Sequence, residues 1–130
     1  MTSLALARWL ALVFAIVLAV VEALLNEGRP DGKWQYAPLW IIDYVIVALL
    51  LAGFWLNRRR GHEPVLVLGW ALAAGVFYIA LFASLDPELT RGQPADSGRA
   101  TVLGLMALAL AVQILGLVLS LHASYRRRTN

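Results

Sequence analysis

The feature that most constrains this chain is a length repeated four times. Residues 4 to 25, 38 to 57, 64 to 85 and 100 to 122 each form an almost unbroken apolar run near the ~20 residues that a helix needs to cross about 30 Å of hydrocarbon. In hydrocarbon every backbone N–H and C=O must find a partner within the chain, so runs of this kind fold as helices. Together they use most of the 130 residues. The expected fold is therefore all-α, an integral membrane four-helix bundle forming a single transmembrane domain over 1–130, with the lipid bilayer as its main partner.

Charge placement orients the bundle. Arg58, Arg59 and Arg60 share one short connection, Arg126, Arg127 and Arg128 follow two spans later on the same side, and Arg8 opens the first span. Arg29, Lys33, Arg91 and Arg99 fall on the other side. The positive-inside rule then puts both termini in the cytoplasm, in a plasma or inner membrane. The net charge of +3 is explained by these span ends, so nucleic acid is not an expected partner. With no cysteine in the chain, disulfides, thiolate metal sites and cysteine nucleophiles are excluded. His62 reads as a loop residue and His122 as a helix-end residue, neither with a ligand set beside it, so no metal and no cofactor are expected.

The start of the chain, with Arg8 before an apolar stretch and the small-residue context Val21-Glu22-Ala23, would also suit a cleaved secretory leader. The resumption of the apolar run at Leu24 and Leu25 favours a spanning helix instead. One face of that helix reads Arg8, Ala11, Ala15, Ala19, Glu22 and Asn26, and small residues in such a row let a second helix approach closely. The third span carries two small faces, one with Gly69, Ala73, Ala80 and Ala83 and one with Ala71, Gly75 and Tyr78. Two neighbours, in the bundle or in a homo-oligomer or a complex with other membrane subunits, would account for both. The fourth span shows an inward stripe of Ala109, Gln113, Gly116, Ser120 and Ala123.

Between the first two spans, Gly and Pro residues make a polar connection, and Pro38 suits the first turn of the second helix. Trp34, Tyr36 and Trp40 cluster at this entrance as amphipathic rings at the boundary of a span. Asp86-Pro87 is expected to stop the third helix and to leave residues 86 to 99 as a mobile outer loop.

Counted from the Arg-rich ends of their spans, Glu22, Asp43, Tyr78 and Gln113 all fall about 18 to 20 Å along the helix axis. The expected site is thus a polar layer of these four residues in the outer half of the membrane, with Asn26 and Tyr44 beside it and Trp34, Tyr36 and Trp40 as its rim. An intramembrane acid costs about 2.5 to 3.5 kcal/mol on insertion scales and usually faces a bundle interior or a cavity. With two acids at one depth and no cation at their level, a shared proton, a hard cation or an amine would relieve their repulsion. Three functions follow as expectations. The first is a small membrane protein, acting as an oligomer, that binds or transfers a proton, small cation or amine-bearing ligand. The second is a non-catalytic accessory or assembly subunit of a larger membrane complex. The third is a membrane enzyme using Glu22 and Asp43 as acid and base on a lipophilic substrate.

Overall fold

A computed structural model describes residues 2–26, 37–58, 61–92 and 94–129, and the chain forms an all-α four-helix bundle. Its helices are α1 (Ser3–Asn26), α2 (Ala37–Leu56), α3 (Glu63–Arg91) and α4 (Ser97–Arg128). Three of them contain stretches long and apolar enough to cross a membrane, Ser3–Leu24, Glu63–Asp86 and Ser97–Arg126. In α2, a helix of 20 residues, the described apolar stretch is Ile41–Leu56.

Each helix packs on its neighbour in sequence, α4 closes the ring on α1, and α1 meets α3 across the diagonal, whereas among the described residues α2 and α4 do not come together. Successive helices run antiparallel. Arg8, near the start of α1, bonds the carbonyl of Phe54 near the end of α2, and Arg99, near the start of α4, bonds that of Ser84 late in α3. The start of α1, the end of α2 and the end of α4 therefore share one end of the bundle.

The distribution of residue types suits a hydrocarbon solvent. Small residues line the interior of α1, where Ala7, Ala11 and Ala15 are fully buried with Leu18, as the alanine row at Ala11 and Ala15 implies. Val13, Ile16, Val17 and Val20 point outward, as do Leu68 and Ile79 of α3 and Leu105, Leu108 and Val118 of α4. Inside lie Ile46, Leu50, Leu66 and Trp70, together with the polar Gln113 and Ser120. Apolar side chains facing out and small or polar ones facing in is how helices associate when the solvent is itself apolar. The structure is consistent with an integral membrane protein on these grounds.

Close approaches occur where a glycine removes a side chain. A Cβ at Gly53 would lie 2.7 Å from Leu66 Cδ2, and one at Gly116 would lie 2.3 Å from Trp70 Cε2. Ser120 is buried on the same stripe and turns its hydroxyl back to the Gly116 carbonyl at 2.8 Å, so a polar side chain is satisfied without leaving its own helix. At the other face of α3, a Cβ on Gly75 would meet nothing within 4 Å. Of the two small faces expected on α3, that of Gly69, Ala73, Ala80 and Ala83 is buried at Gly69 and Ala73, half-buried at Ala80 and exposed at Ala83, and that of Ala71, Gly75 and Tyr78 is exposed.

The expected stop at Asp86-Pro87 and the expected long outer loop are overturned. α3 continues through Pro87 to Arg91, and α4 begins at Ser97. The helix runs unbroken through Asp86-Pro87-Glu88. The ring supplies no N–H and crowds the preceding turn, and into that turn Arg99 donates its Nη2 hydrogen to the Ser84 carbonyl. Gly92, at φ 61°, ends α3 in the left-handed conformation that favours glycine. Asp96 caps α4 by accepting from the Arg99 backbone N–H at 2.7 Å. These local bonds shrink the expected 14-residue loop to the short connection from Gly92 to Asp96.

Candidate functional site

Glu22 lies four residues before the end of α1, and Asp43 lies six residues into α2. Because the two helices are antiparallel neighbours, both acids come to the same level, near the end of the bundle remote from Arg58. They meet there, the Glu22 carboxyl standing beside that of Asp43. Both side chains are half-buried. The small residues of α1 make the meeting possible, because Ala11 and Ala15 let the helices close on one another and Glu22 extends the same row.

A hydrogen bond between two carboxyl groups has a chemical requirement. An ionised carboxylate only accepts, so one member of a bonded pair must carry the proton. Among the described residues, no group of three or more His, Cys, Asp or Glu comes together in a way that could hold a metal ion.

The other expected members of the layer are not brought to the pair. Gln113 is fully buried in α4, on the helix diagonally opposite α2. The contact of Gly116 with Trp70 sets the α3–α4 register and puts Gln113 level with Ala73. The contact of Gly69 with Leu50 sets the α2–α3 register and puts Asp43 level with Val76. The two thus differ in height by about one turn, ~5 Å, and lie on helices that do not touch. Neither amide atom of Gln113 has a hydrogen-bond partner, and the same holds for Trp70 Nε1. Tyr78 points away from the interior. It is 54% exposed and stacks on Phe82 with ring centroids 4.6 Å apart. The reason is rotational: the inward positions of α3 are Leu66, Trp70, Ala73 and Leu81, and Tyr78 is turned about the axis from all of them. Tyr44 adjoins Asp43 in sequence but is 50% exposed. Asn26 and Trp40 fall within α1 and α2 with side chains outside the described part, and Trp34 and Tyr36 lie outside the described residues.

A second cluster, at the opposite end, was not anticipated from the sequence. Phe54 is buried in the last turn of α2, and the guanidiniums of Arg8 and Arg58 both lie against its ring, at 5.3 and 5.5 Å from the centroid. Trp9 meets Phe54 edge-on at 5.5 Å. The only sequence signal is that Arg8 falls on the packed face of α1. Just beyond, Asn57 is buried and donates to the carbonyls of Gly53 at 2.8 Å and His62 at 3.0 Å, tying α2 to the connection into α3.

Compared with protein-family models, curated proteins and solved structures, the chain matches none.

Proposed function

We propose that this is a small membrane protein in which the Glu22–Asp43 pair holds a proton and exchanges it for a small cation or an amine-bearing ligand. One observation carries the reading: the two acids stand side by side on adjacent helices. A neutral side chain such as Gln or Ser would cross-link α1 and α2 at less cost, whereas two acids gain a charge that can be exchanged. Their place near one end of the bundle gives the pair a short route to water. In this reading the arginines of the opposite end are cytoplasmic, both termini lie with them, and the acid pair opens toward the outside.

Infrared spectroscopy of the protein in liposomes tests the proposal by reading the C=O stretch of a protonated carboxyl. At neutral pH the native protein should show such a band, and saturating sodium or a lipophilic ammonium ion should diminish it. Glu22→Gln combined with Asp43→Asn should abolish it while helicity persists. A native protein without the band, a band that ignores every cation offered, or a band that survives the double substitution refutes the reading.

The accessory-subunit reading rests on a different observation, the exposed face of Ala71, Gly75 and Tyr78, where a Cβ on Gly75 would meet nothing. A second membrane helix, from another copy or another subunit, would fit such a face. If the double neutral variant leaves cation response unchanged while Gly75→Leu disperses an assembly, the subunit reading replaces the first.

A further inference from the structure

The Arg8–Phe54–Arg58 cluster gathers two guanidinium charges around one ring. Arg8 donates its Nε hydrogen to the Phe54 carbonyl at 3.3 Å and lies over the Phe54 ring. Arg58 lies over the same ring and, at 4.1 Å, over the ring of Trp55. Aromatic faces and a carbonyl orient a guanidinium but leave its full charge in place. Among the described residues, no carboxylate forms an ion pair with either arginine. Two like charges are thus held around one phenyl ring, separated by no more than the sum of their distances to its centroid.

Such an arrangement asks for an anion. Each guanidinium has a planar fork of donors that matches phosphate oxygens, and Arg8 has committed only its Nε in the bonds described. The cluster also sits where phosphates are found in a membrane: Arg8 is in the second turn of α1, Phe54 and Trp55 close α2, and Arg58 lies just beyond. Trp9 and Trp55 are 54% and 60% exposed and project from the bundle beside the arginines. Indole rings at the end of a span lodge at the level of headgroup and ester carbonyls.

We infer that Arg8 and Arg58, braced on Phe54 and flanked by Trp9 and Trp55, form a binding site for the phosphate headgroup of an anionic phospholipid at the Arg58 end of the bundle. The arginines clamp the phosphate, and the indoles line the path of its ester and acyl groups. The site is independent of the Glu22–Asp43 pair, which lies at the other end.

Native mass spectrometry of the protein in neutral detergent tests this, with equal amounts of a phosphatidylglycerol and the phosphatidylcholine of the same chains. Each arginine should contribute about fivefold to the preference for the anionic lipid, giving roughly thirtyfold together. Arg8→Gln with Arg58→Gln should bring the ratio near one, while Arg126→Gln with Arg127→Gln, which removes the same charge from the end of α4, should leave it standing. Because Arg8 also bonds the Phe54 carbonyl, Arg58→Gln alone is measured beside the double variant and should lower the preference about fivefold with helicity unchanged. A native ratio near one overturns the site, as does equal loss in the two charge-matched pairs. If inorganic phosphate at about ten millimolar removes the preference, the site takes free phosphate and the lipid assignment falls.

Discussion

Gly116→Ala is the sharpest test of how α3 and α4 meet. The added methyl would lie 2.3 Å from Trp70 Cε2, 2.5 Å from Cδ2 and 2.7 Å from Cζ2. Ordinary carbon contacts are about 3.5 to 4.0 Å, so the indole would have to retreat by roughly 1 Å or the helices would have to part. Retreat is hindered, because Trp70 is fully buried and packs against Phe14 with 5.7 Å between ring centroids. Overpacking of this kind costs about 1 to 3 kcal/mol, and the rigidity of an aromatic neighbour puts the expected value in the upper half of that range. Reversible unfolding in mixed micelles, followed by circular dichroism, measures it. The same substitution placed on Trp70→Leu should cost less than about 0.5 kcal/mol, since the colliding atoms are gone, and the difference is the coupling between the two positions. Gly75→Ala serves as the control: its methyl meets nothing within 4 Å, so it should show no overpacking cost and should raise stability by about 0.5 to 1 kcal/mol through helix propensity. Native-like stability of Gly116→Ala, or an equal cost in the Trp70→Leu background, would show that this glycine is not where the helices touch.

Four further outcomes follow from the side-chain contacts. Asn57→Ala removes two donated hydrogen bonds from a buried site and should lower stability by about 1 to 3 kcal/mol in the same unfolding measurement, with no loss meaning that the α2–α3 connection holds without it. Gln113→Leu exchanges an amide with no partner for an apolar group of similar size, so stability should hold or rise; a loss above about 1 kcal/mol would show that the amide is satisfied by a group that these contacts do not include. Asp96→Ala removes the α4 cap and should cost about 1 kcal/mol, while Arg99→Leu should speed hydrogen exchange in residues 85–91; unchanged exchange there would mean that the turn around Pro87 is stable without the bond from Arg99 to Ser84.

What the sequence made legible, and what it did not, divides along the geometry of a helix. The number of helices and their approximate extents were readable because apolar length is a one-dimensional signal. The small-residue rows of α1 and α4 were readable because a row of spacings three and four marks one face. The fate of Asp86-Pro87 was not, because the proline's effect depended on a carbonyl acceptor, an arginine and an aspartate cap that only the α3–α4 hairpin brings together. The expected polar layer shows what counting along a helix leaves open. Counting residues from a span boundary fixes height along the axis, and by that measure Asp43 and Gln113 agree to about one turn. It says nothing of rotation, at about 100° per residue, or of which helices are neighbours. Tyr78 was lost to rotation, and Gln113 to the diagonal of the ring. Glu22 and Asp43 came together because both uncertainties were small for them: α1 and α2 are consecutive and antiparallel, and Glu22 continues the row that Ala11 and Ala15 bury. A polar residue that extends a small-residue row on one of two consecutive spans is therefore a stronger indicator of a meeting point than equal depth alone. On the same reasoning Arg8, which the sequence also put on that packed face, should have been matched to the end of α2, where Phe54 and Arg58 in fact receive it.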